Sequence, residues 1–256
     1  MIEYSKYKRV FAFGCSFTCW TYPTWADIIA KCCEDAEYHN LASGGGGNHF
    51  ISSRLTQANL HFNFCETDLV LLMFSTPFRE DRWLSGEWKL YGNIYNQPFY
   101  NKEFIKKYVD PNGMIIRDLN ITELTYTYLN SLPCDNLMLR SADPGDCEFL
   151  VDDEIYGHKL LALYNNSQIS KLPPALMSFE DPIPRDFVYR DGTKGYDGHH
   201  LPIQYLRYLQ SLNIPITENA IMYATEATDI VLNAQYEEEL HVAFPRISNL
   251  DERGIF

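Results

Sequence analysis

The seven residues Asp68–Phe74 limit the possible folds more than any other part of the sequence. Six apolar residues follow one aspartate there without interruption. Because side chains alternate between the two faces of a strand, a strand built from this run is apolar on both faces. Such a strand needs cover on both sides, which is typical of a parallel sheet with helices packed above and below it.

The rest of the sequence alternates between short apolar runs and segments with the periodicity of amphipathic helices. Further strands are predicted at about residues 10–13, 37–42 and 136–140. Helices are predicted at about 24–33, after 48 to about 60, at 118–132 and from 202 onward. Strands that alternate with helices form a doubly wound α/β sheet, whose working residues collect in loops at the carboxyl ends of the strands.

Two of these helices carry more specific predictions. Thr24 is expected to cap the first one, with Asp27 as the acidic partner three residues on and Trp25 in the core. In the helix at 118–132, apolar spacing places Leu124 and Leu129 on the buried face.

The length of 256 residues suits one large α/β domain with a full core. We expect this domain to span residues 1–212. Within it, an insertion or lid at about 84–116, with a short helix near 102–109, and an irregular loop region at 142–196 interrupt the alternation. Residues 213–256 are expected to form a C-terminal extension, whose structure the sequence leaves open.

The bulk charge and hydropathy exclude several function classes. The net charge of −13 repels phosphate backbones, so we expect no nucleic acid as a partner. No apolar stretch reaches the ~18–20 residues of a membrane span, so no membrane partner is expected either. The first nine residues are too polar for a signal peptide, which predicts synthesis in the cytoplasm.

The seven cysteines do not form an evenly spaced framework. This usage favours free thiols in a reducing compartment. A zinc site is an alternative, made of Cys15, Cys19, Cys32, Cys33 and His39, but no paired Cys-x-x-Cys supports it. We therefore expect neither a metal nor a cofactor.

The first strand ends in Gly14-Cys15-Ser16, and the far end of the chain carries Asp197-Gly198-His199-His200. A Gly-x-Ser turn after a strand holds a serine hydroxyl at the edge of a sheet. One serine with an Asp-x-x-His pair supplies the nucleophile, the base and the group that orients the base in a hydrolase.

Four consecutive glycines, Gly44–Gly47, lie between the second strand and its helix. Their backbone N–H groups lie near a helix N-terminus, which makes this loop a candidate anion cradle. The loop lacks the Lys-Ser/Thr ending of a phosphate-binding loop, so a nucleotide-binding protein is the weaker interpretation. A flexible turn is the other alternative.

Three blocks together resemble the SGNH/GDSL hydrolase superfamily. The family block Gly-Asp-Ser-x-[Ser/Thr] is similar to residues 14–18, with Cys15 in place of Asp. The block Asn-x-Gly-x-x-Gly is similar to residues 40–45, with Ala42 in place of the first glycine. The block Asp-x-x-His matches residues 197–200, and the order of the blocks agrees over about 9–210.

The third family block departs from this pattern. After its strand the family has Gly-x-Asn-Asp, whose Asn helps to hold the oxyanion, whereas this chain has Ser75-Thr76-Pro77-Phe78-Arg79. A hydroxyl of Ser75 or Thr76, or the amide of Asn48, would have to replace it. Loss of one such donor costs about 10²–10³ in rate in a serine hydrolase.

The resemblance implies a three-layer α/β/α, flavodoxin-like fold with a parallel central sheet. It also implies a serine esterase in which Ser16 is the nucleophile, His200 the base and Asp197 the group that orients the base. The spacing favours His200, with His199 as the rival. Backbone N–H groups of Ser16 and Gly45, with Asn48 or Thr76, would hold the oxyanion.

The resemblance further implies a carbohydrate ester, in particular an O-acetyl group, as the substrate. Aromatic residues make up 14% of the chain and offer surfaces on which sugars stack, with Trp20, Trp83 and Trp88 as candidates. The local sequence also resembles SGNH-like proteins of tailed phages. The alternative function is therefore a virion structural or glycan-binding protein that keeps the fold with little or no catalysis, and whose partners are other virion proteins.

Overall fold

A four-stranded parallel sheet lies at the centre of the computed structural model, which describes residues 3–96, 100–143, 156–189 and 192–245. Its strands, numbered in chain order with those described below, are β1 (Arg9–Phe13), β2 (Glu37–Asn40), β3 (Asp68–Phe74) and β6 (Asp135–Arg140). They lie in the order β2-β1-β3-β6. This is the order of the first four strands of a flavodoxin-like sheet, and it confirms the predicted fold class.

Strand β3 occupies an interior position and is buried along its whole length. Leu69, Leu71 and Met73 belong to the core on one face of the sheet. Val70, Leu72 and Phe74 belong to the core on the other face. Strand β3 is therefore buried on both faces, as its uninterrupted apolar run predicts.

Six helices form the two outer layers. One layer consists of α1 (Trp25–Cys32), α6 (Pro202–Ser211) and α7 (Glu218–Asn233). The other consists of α2 (Asn48–Phe62), α4 (Pro111–Ser131) and α5 (Tyr156–Asn166). Among the described residues, no helix is long and apolar enough to cross a lipid bilayer.

Helix α1 begins at the predicted cap. The backbone N–H and the hydroxyl of Thr24 both donate to Asp27 Oδ2, at 2.7 and 2.8 Å. Trp25 is fully buried, and its indole N–H donates to Thr18 Oγ1 at 3.2 Å. The start of this helix is thus fastened to the loop that carries Ser16.

The insertion begins with an antiparallel hairpin made of β4 (Arg79–Leu84) and β5 (Glu87–Asn93). The short helix predicted near residues 102–109 is α3 (Lys102–Tyr108). The hairpin starts five residues before the predicted insertion, because Arg79 and Asp81 make contacts with the glycine loop that are described below. Residues 97–99 lie outside the described part of the insertion.

Helix α4 begins seven residues earlier than predicted, at Pro111. The side chain of Asp110 caps it by accepting the Asn112 N–H at 3.0 Å. Its buried positions include Asp118, Thr122 and Thr125. Leu124, which was predicted to be buried, is 70% exposed. Apolar spacing does not identify the buried face of this helix, because that face is partly polar.

The region at 142–196, predicted to be irregular, contains regular structure. It holds α5 and a second antiparallel hairpin, made of β7 (Arg185–Val188) and β8 (Lys194–Asp197). Residues 144–155 and 190–191 lie outside the described part of the chain. The hairpin matters for function because its last residue is Asp197.

The C-terminal residues left open by the sequence form α7 and α8 (Glu237–Ala243). Ala220 and Ala224 of α7 are fully buried and belong to the same core as β1 and β3. Helix α7 is therefore a part of the helical layer, packed against α1 and α6. Residues 246–256 of the predicted extension lie outside the described residues.

Candidate active site

The loop that carries Ser16 is shaped by close packing after β1. A side chain at Gly14 would place its Cβ 2.1 Å from Thr18 Oγ1, so only glycine fits there. The carbonyl of Cys15 accepts the backbone N–H groups of Thr18 and Cys19 at 2.9 and 3.1 Å, which closes a tight turn. Ser16 lies in this turn and keeps 7% of its surface exposed.

The structure brings the N-terminal serine loop against the C-terminal Asp-x-x-His segment. The Phe17 and His199 rings have centroids 5.3 Å apart. Trp20 stacks on the His199 ring with centroids 3.6 Å apart and planes at 24°. The Tyr22 hydroxyl donates to Asp197 Oδ2 at 3.0 Å. Two segments almost 180 residues apart in sequence are thus in contact.

Asp197 is a buried carboxylate that accepts from four hydrogen-bond donors among the described residues. Its Oδ1 accepts the His199 backbone N–H and lies 3.0 Å from His199 Nδ1. Its Oδ2 accepts Tyr22 and, at 2.9 Å, Nη2 of Arg185. Burial alone would raise the pKa of Asp197, but the hydrogen bonds from the His199 ring and backbone, with the Tyr22 hydroxyl, lower it to about 2.

The carboxylate pairs with His199 and not with His200, which the sequence favours as the base. His200 is fully buried, and its Nε2 lies 2.6 Å from the carbonyl oxygen of Glu180. Burial lowers the pKa of His200, which keeps this ring neutral. The predicted pairing of Asp197 with His200 is therefore corrected to Asp197 with His199.

The cause of this difference is a local turn. Because Asp197 Oδ1 accepts the backbone N–H two residues on, the carboxylate closes an Asx-type turn, and the ring of that second residue comes beside it. His200 instead faces the core, where its ring lies 6.0 Å from Phe17 and 5.7 Å from Tyr205.

Arg185 is a site residue that the sequence analysis missed. It donates to Asp197 from β7, and its Cζ lies 5.4 Å from the Tyr22 ring centroid. No sequence signal marked it, since its strand lies in the region predicted to be irregular. The bond of Tyr22 to Asp197 likewise depends on tertiary packing.

Asn48 is already engaged in the structure. Its amide nitrogen donates to the Ser75 carbonyl at 2.9 Å and to Asp118 Oδ2. Its Oδ1 accepts the Ser75 backbone N–H at 2.7 Å. A primary amide has two N–H donors, and both are used here. In this geometry Asn48 has no donor left for an oxyanion, unlike the role expected from the sequence.

The glycine loop binds an anion that belongs to the chain itself. Asp81 of β4 accepts the backbone N–H groups of Gly47 and Phe50 at 2.8 and 3.0 Å. It is 8% exposed, and burial raises its pKa. The first turn of α2 is therefore capped by the hairpin, and the predicted anion cradle is filled by Asp81.

Gly45 lies in the same loop with a φ of +79°, which favours glycine. A Cβ at this position would lie 2.9 Å from the Leu90 carbonyl of β5. Thr76, the other candidate for the oxyanion, follows β3 and is half-buried. The Ser75 hydroxyl beside it is buried without a hydrogen-bond partner among the described residues. The hydroxyls after β3 thus stay the side-chain candidates for this role.

Two cavities adjoin these residues. The smaller, of about 20 Å³, has room for one water and is lined by Asn48, Ser75 and Asp118 among others. Burial raises the pKa of Asp118 there to about 7. The larger is a cleft of about 840 Å³, and its lining includes Trp20 and Tyr22, the residues that contact His199 and Asp197.

The cysteines of the described residues are free thiols. Within these same ranges, no group of three or more histidine, cysteine or acidic side chains is arranged to hold a metal ion. The alternative zinc site, which requires Cys15, Cys32 and His39 among its ligands, is thus not assembled in this structure.

Comparisons with known proteins find similarity in structure and not in sequence. The sequence matches no family model, and no curated protein matches it. A solved structure of the protein YxiM from Bacillus subtilis is similar, with a TM-score of 0.38 and 11% sequence identity. The match covers 87% of this chain and 55% of the other, so this chain spans about half the length of that protein.

Proposed function

We propose that this chain is a serine ester hydrolase of the SGNH type, with Ser16 as nucleophile, His199 as general base and Asp197 as the group that orients it. The observation that carries the proposal is the bond between Asp197 and His199 Nδ1 at 3.0 Å, on a histidine packed against the Ser16 loop. This arrangement is the base-and-carboxylate half of a catalytic triad.

The Asp197 carboxylate has two tasks in this mechanism. It accepts a hydrogen bond from His199 Nδ1–H, which keeps the proton on Nδ1 and leaves Nε2 free to accept a proton from Ser16. Its lowered pKa, about 2, keeps it charged at neutral pH, so that it stabilises the imidazolium that forms. Arg185 and Tyr22 hold the second carboxylate oxygen, and this fixes the carboxylate in place.

The reaction proceeds in two acyl-transfer steps. Ser16 Oγ attacks the ester carbonyl while His199 takes its proton and returns it to the leaving alcohol. A water, deprotonated by His199, then attacks the acyl-serine and releases the carboxylic acid. Backbone N–H groups of Ser16 and Gly45, with a hydroxyl of Ser75 or Thr76, hold the oxyanion in place of the engaged Asn48 amide.

We assign a carbohydrate O-acetyl ester as the substrate class, on the family resemblance together with the aromatic lining of the cleft. Trp20 and Trp88 line it, and Tyr38 and Tyr223 lie on its walls. Aromatic faces in a cleft offer stacking surfaces for a sugar ring. Trp83, the third tryptophan considered, is 45% exposed on the β4–β5 hairpin.

A fluorophosphonate probe tests the nucleophile without knowledge of the substrate. We expect the probe to label the wild type and not Ser16→Ala. Hydrolysis of p-nitrophenyl acetate should fall by up to about 10⁶ in kcat in the same variant, as in a working triad. Equal labelling and equal rates in the two proteins would reject the proposal.

The two neighbouring histidines give a matched test of the base. His199→Gln should lose nearly as much activity as Ser16→Ala, since it removes the partner of Asp197. His200→Gln should keep most of the activity, because an amide N–H can still donate to the Glu180 carbonyl. The reverse pattern would restore His200 as the base.

The second candidate is a glycan-binding or virion protein that keeps the fold without catalysis. One observation favours it, which is that both Asn48 donors are engaged while the family asparagine after β3 is absent. If this candidate is correct, the wild type binds acetylated oligosaccharide as tightly as Ser16→Ala does and neither protein hydrolyses it. Its place in a phage particle stays a prediction from the sequence.

A further inference from the structure

Helix α2 carries a buried arginine that makes no ion pair within the described residues. Arg54 is 6% exposed. Its Nε and Nη1 are buried, and neither makes a hydrogen bond within the described ranges. Its guanidinium packs on the Phe50 ring one turn earlier, with Cζ 5.3 Å from the ring centroid.

This arrangement is energetically unusual. An arginine stays protonated in proteins, and a buried charge is costly unless it is paired and hydrogen-bonded. Burial is the cause that lowers the pKa of Arg54, with no contribution from a nearby carboxylate. The protein therefore maintains an unpaired cation that an external anion would stabilise.

Arg54 lies in the wall of the 840 Å³ cleft that also contains Trp20 and Tyr22. The acidic residues of this wall have other partners or positions. Asp27 accepts from Thr24 and Tyr38, Glu34 from Asn219, and Glu87 from Lys89, while Glu226 is exposed on α7. The pairing capacity of Arg54 is thus left for a molecule that enters the cleft.

The other lining residues of the cleft are also of the kinds that bind sugars. Trp88 and Tyr38 supply aromatic faces, and Asn40 and Ser43 supply polar groups. A planar guanidinium matches an oxyanion group through parallel N–H donors. The combination of two cations, the buried Arg54 and the exposed Lys31, with aromatic faces and hydrogen-bonding groups is suited to an acidic glycan.

We infer that the cleft binds an anionic glycan, with a carboxylate or sulfate ester on Arg54, and presents its ester to Ser16. The assignment of the ester step rests on the proposed function, whereas the assignment of the anion site rests on Arg54 alone. The net charge of −13 opposes anion binding elsewhere on the surface, so the attraction for the anion has to come from the cations in the cleft.

Calorimetric titration of the full chain tests this inference with four probes. These are trigalacturonate, its uncharged methyl ester, a κ-carrageenan tetrasaccharide and maltotriose. We expect trigalacturonate or the sulfated tetrasaccharide to bind at least about 30-fold more tightly than the uncharged probes, as for a buried charge pair. The tighter of the two identifies the anion. Equal binding of charged and uncharged sugars, or no binding of any, would overturn the inference.

Arg54→Gln should remove the preference for the charged probe, and Arg54→Lys should weaken it, because lysine lacks the planar fork. Arg207→Gln is the matched control, since it removes the same charge from an exposed arginine outside the cleft and should leave binding unchanged. Unchanged binding in Arg54→Gln would refute the site. If Arg54→Gln does not fold, the wild-type comparison of trigalacturonate with its methyl ester and the Arg54→Lys result still decide.

Thermal unfolding separates a binding role from a structural one. Loss of an unpaired buried charge should leave the Tm of Arg54→Gln unchanged or higher in the absence of ligand. A large fall in Tm would mean that Arg54 supports the fold. The same titrations in Ser16→Ala distinguish the two proposals, because anion binding there should persist even if the esterase proposal fails.

Discussion

Asp118→Asn is expected to stabilise the protein above neutral pH and to have little effect in acid. Asp118 is 4% exposed, and burial raises its pKa from 3.8 to about 7. The unfolded chain therefore loses this proton at a lower pH than the folded chain. Since the folded state binds more protons between about pH 4 and 7, wild-type stability falls as the pH rises through that range.

The difference between the pKa of Asp118 in the folded chain, about 7, and its ordinary value of 3.8 sets the size of the stabilisation. A difference of one in pKa corresponds to about 1.4 kcal/mol, so the upper limit is about 4 kcal/mol. Asparagine has the same shape and no charge, and its oxygen can still accept from Asn48. The free energy of unfolding of Asp118→Asn should therefore exceed that of the wild type by up to about 4 kcal/mol at pH 8.

Urea unfolding from pH 4 to pH 8, followed by circular dichroism, measures both profiles. The difference in free energy of unfolding between the wild type and Asp118→Asn should increase from about pH 4 and become constant above about pH 7. Asp229→Asn, on the exposed face of α7, removes an equal charge and should run parallel to the wild type. Parallel profiles for Asp118→Asn as well would refute the account of Asp118 as a costly buried carboxylate.

Three further substitutions test other contacts. Tyr22→Phe removes a hydrogen bond that holds the pKa of Asp197 down, so it should lower stability by about 1–2 kcal/mol at pH 7 and by less near pH 2 in chemical unfolding. Asp81→Ala leaves two buried N–H groups without acceptors and should cost about 2–4 kcal/mol by urea titration. Gly45→Ala should cost about 1–3 kcal/mol and lower the Tm, because of its positive φ and the contact with Leu90. A change within the error of the wild type would contradict the corresponding contact in each case.

The central sheet could be predicted because its signals are local. The apolar run of β3 predicts burial on both faces, and the structure places it between two helical layers. The cap of α1 was readable from Thr24 and Asp27, whose spacing alone specifies the bond. In both cases the residues that form the sequence pattern are the residues that make the contacts in the structure.

The polar interior could not be predicted from apolar periodicity. Asp118 is buried in α4 because Asn48, 70 residues earlier, donates to it. A carboxylate in a helix normally indicates a solvent face, so the pattern pointed to Leu124 instead. The hairpin that contains Arg185 and Asp197 lay within residues rich in proline, aspartate and glycine, which concealed its strands.

The sequence predicted which segments of the chain form the candidate site, but not which histidine pairs with Asp197. Ser16 and Asp197 were named from motif spacing, and the structure brings their segments into contact. The choice between His199 and His200 depended on a turn at Asp197 that one residue of spacing does not specify. The roles of Gly45 and Thr76 stay predictions, while both donors of Asn48 are engaged elsewhere.

The contacts of the β4–β5 hairpin bear on how a substrate reaches the site. Asp81 and Arg79 bond to the glycine loop, and the Leu90 carbonyl lies against Gly45. An outward movement of this hairpin would remove Asp81, the acceptor for the N–H groups of the first turn of α2. Entry by such a movement would thus unfold part of the site it uncovers, so we expect ligands to diffuse in along the preformed cleft with the hairpin held still.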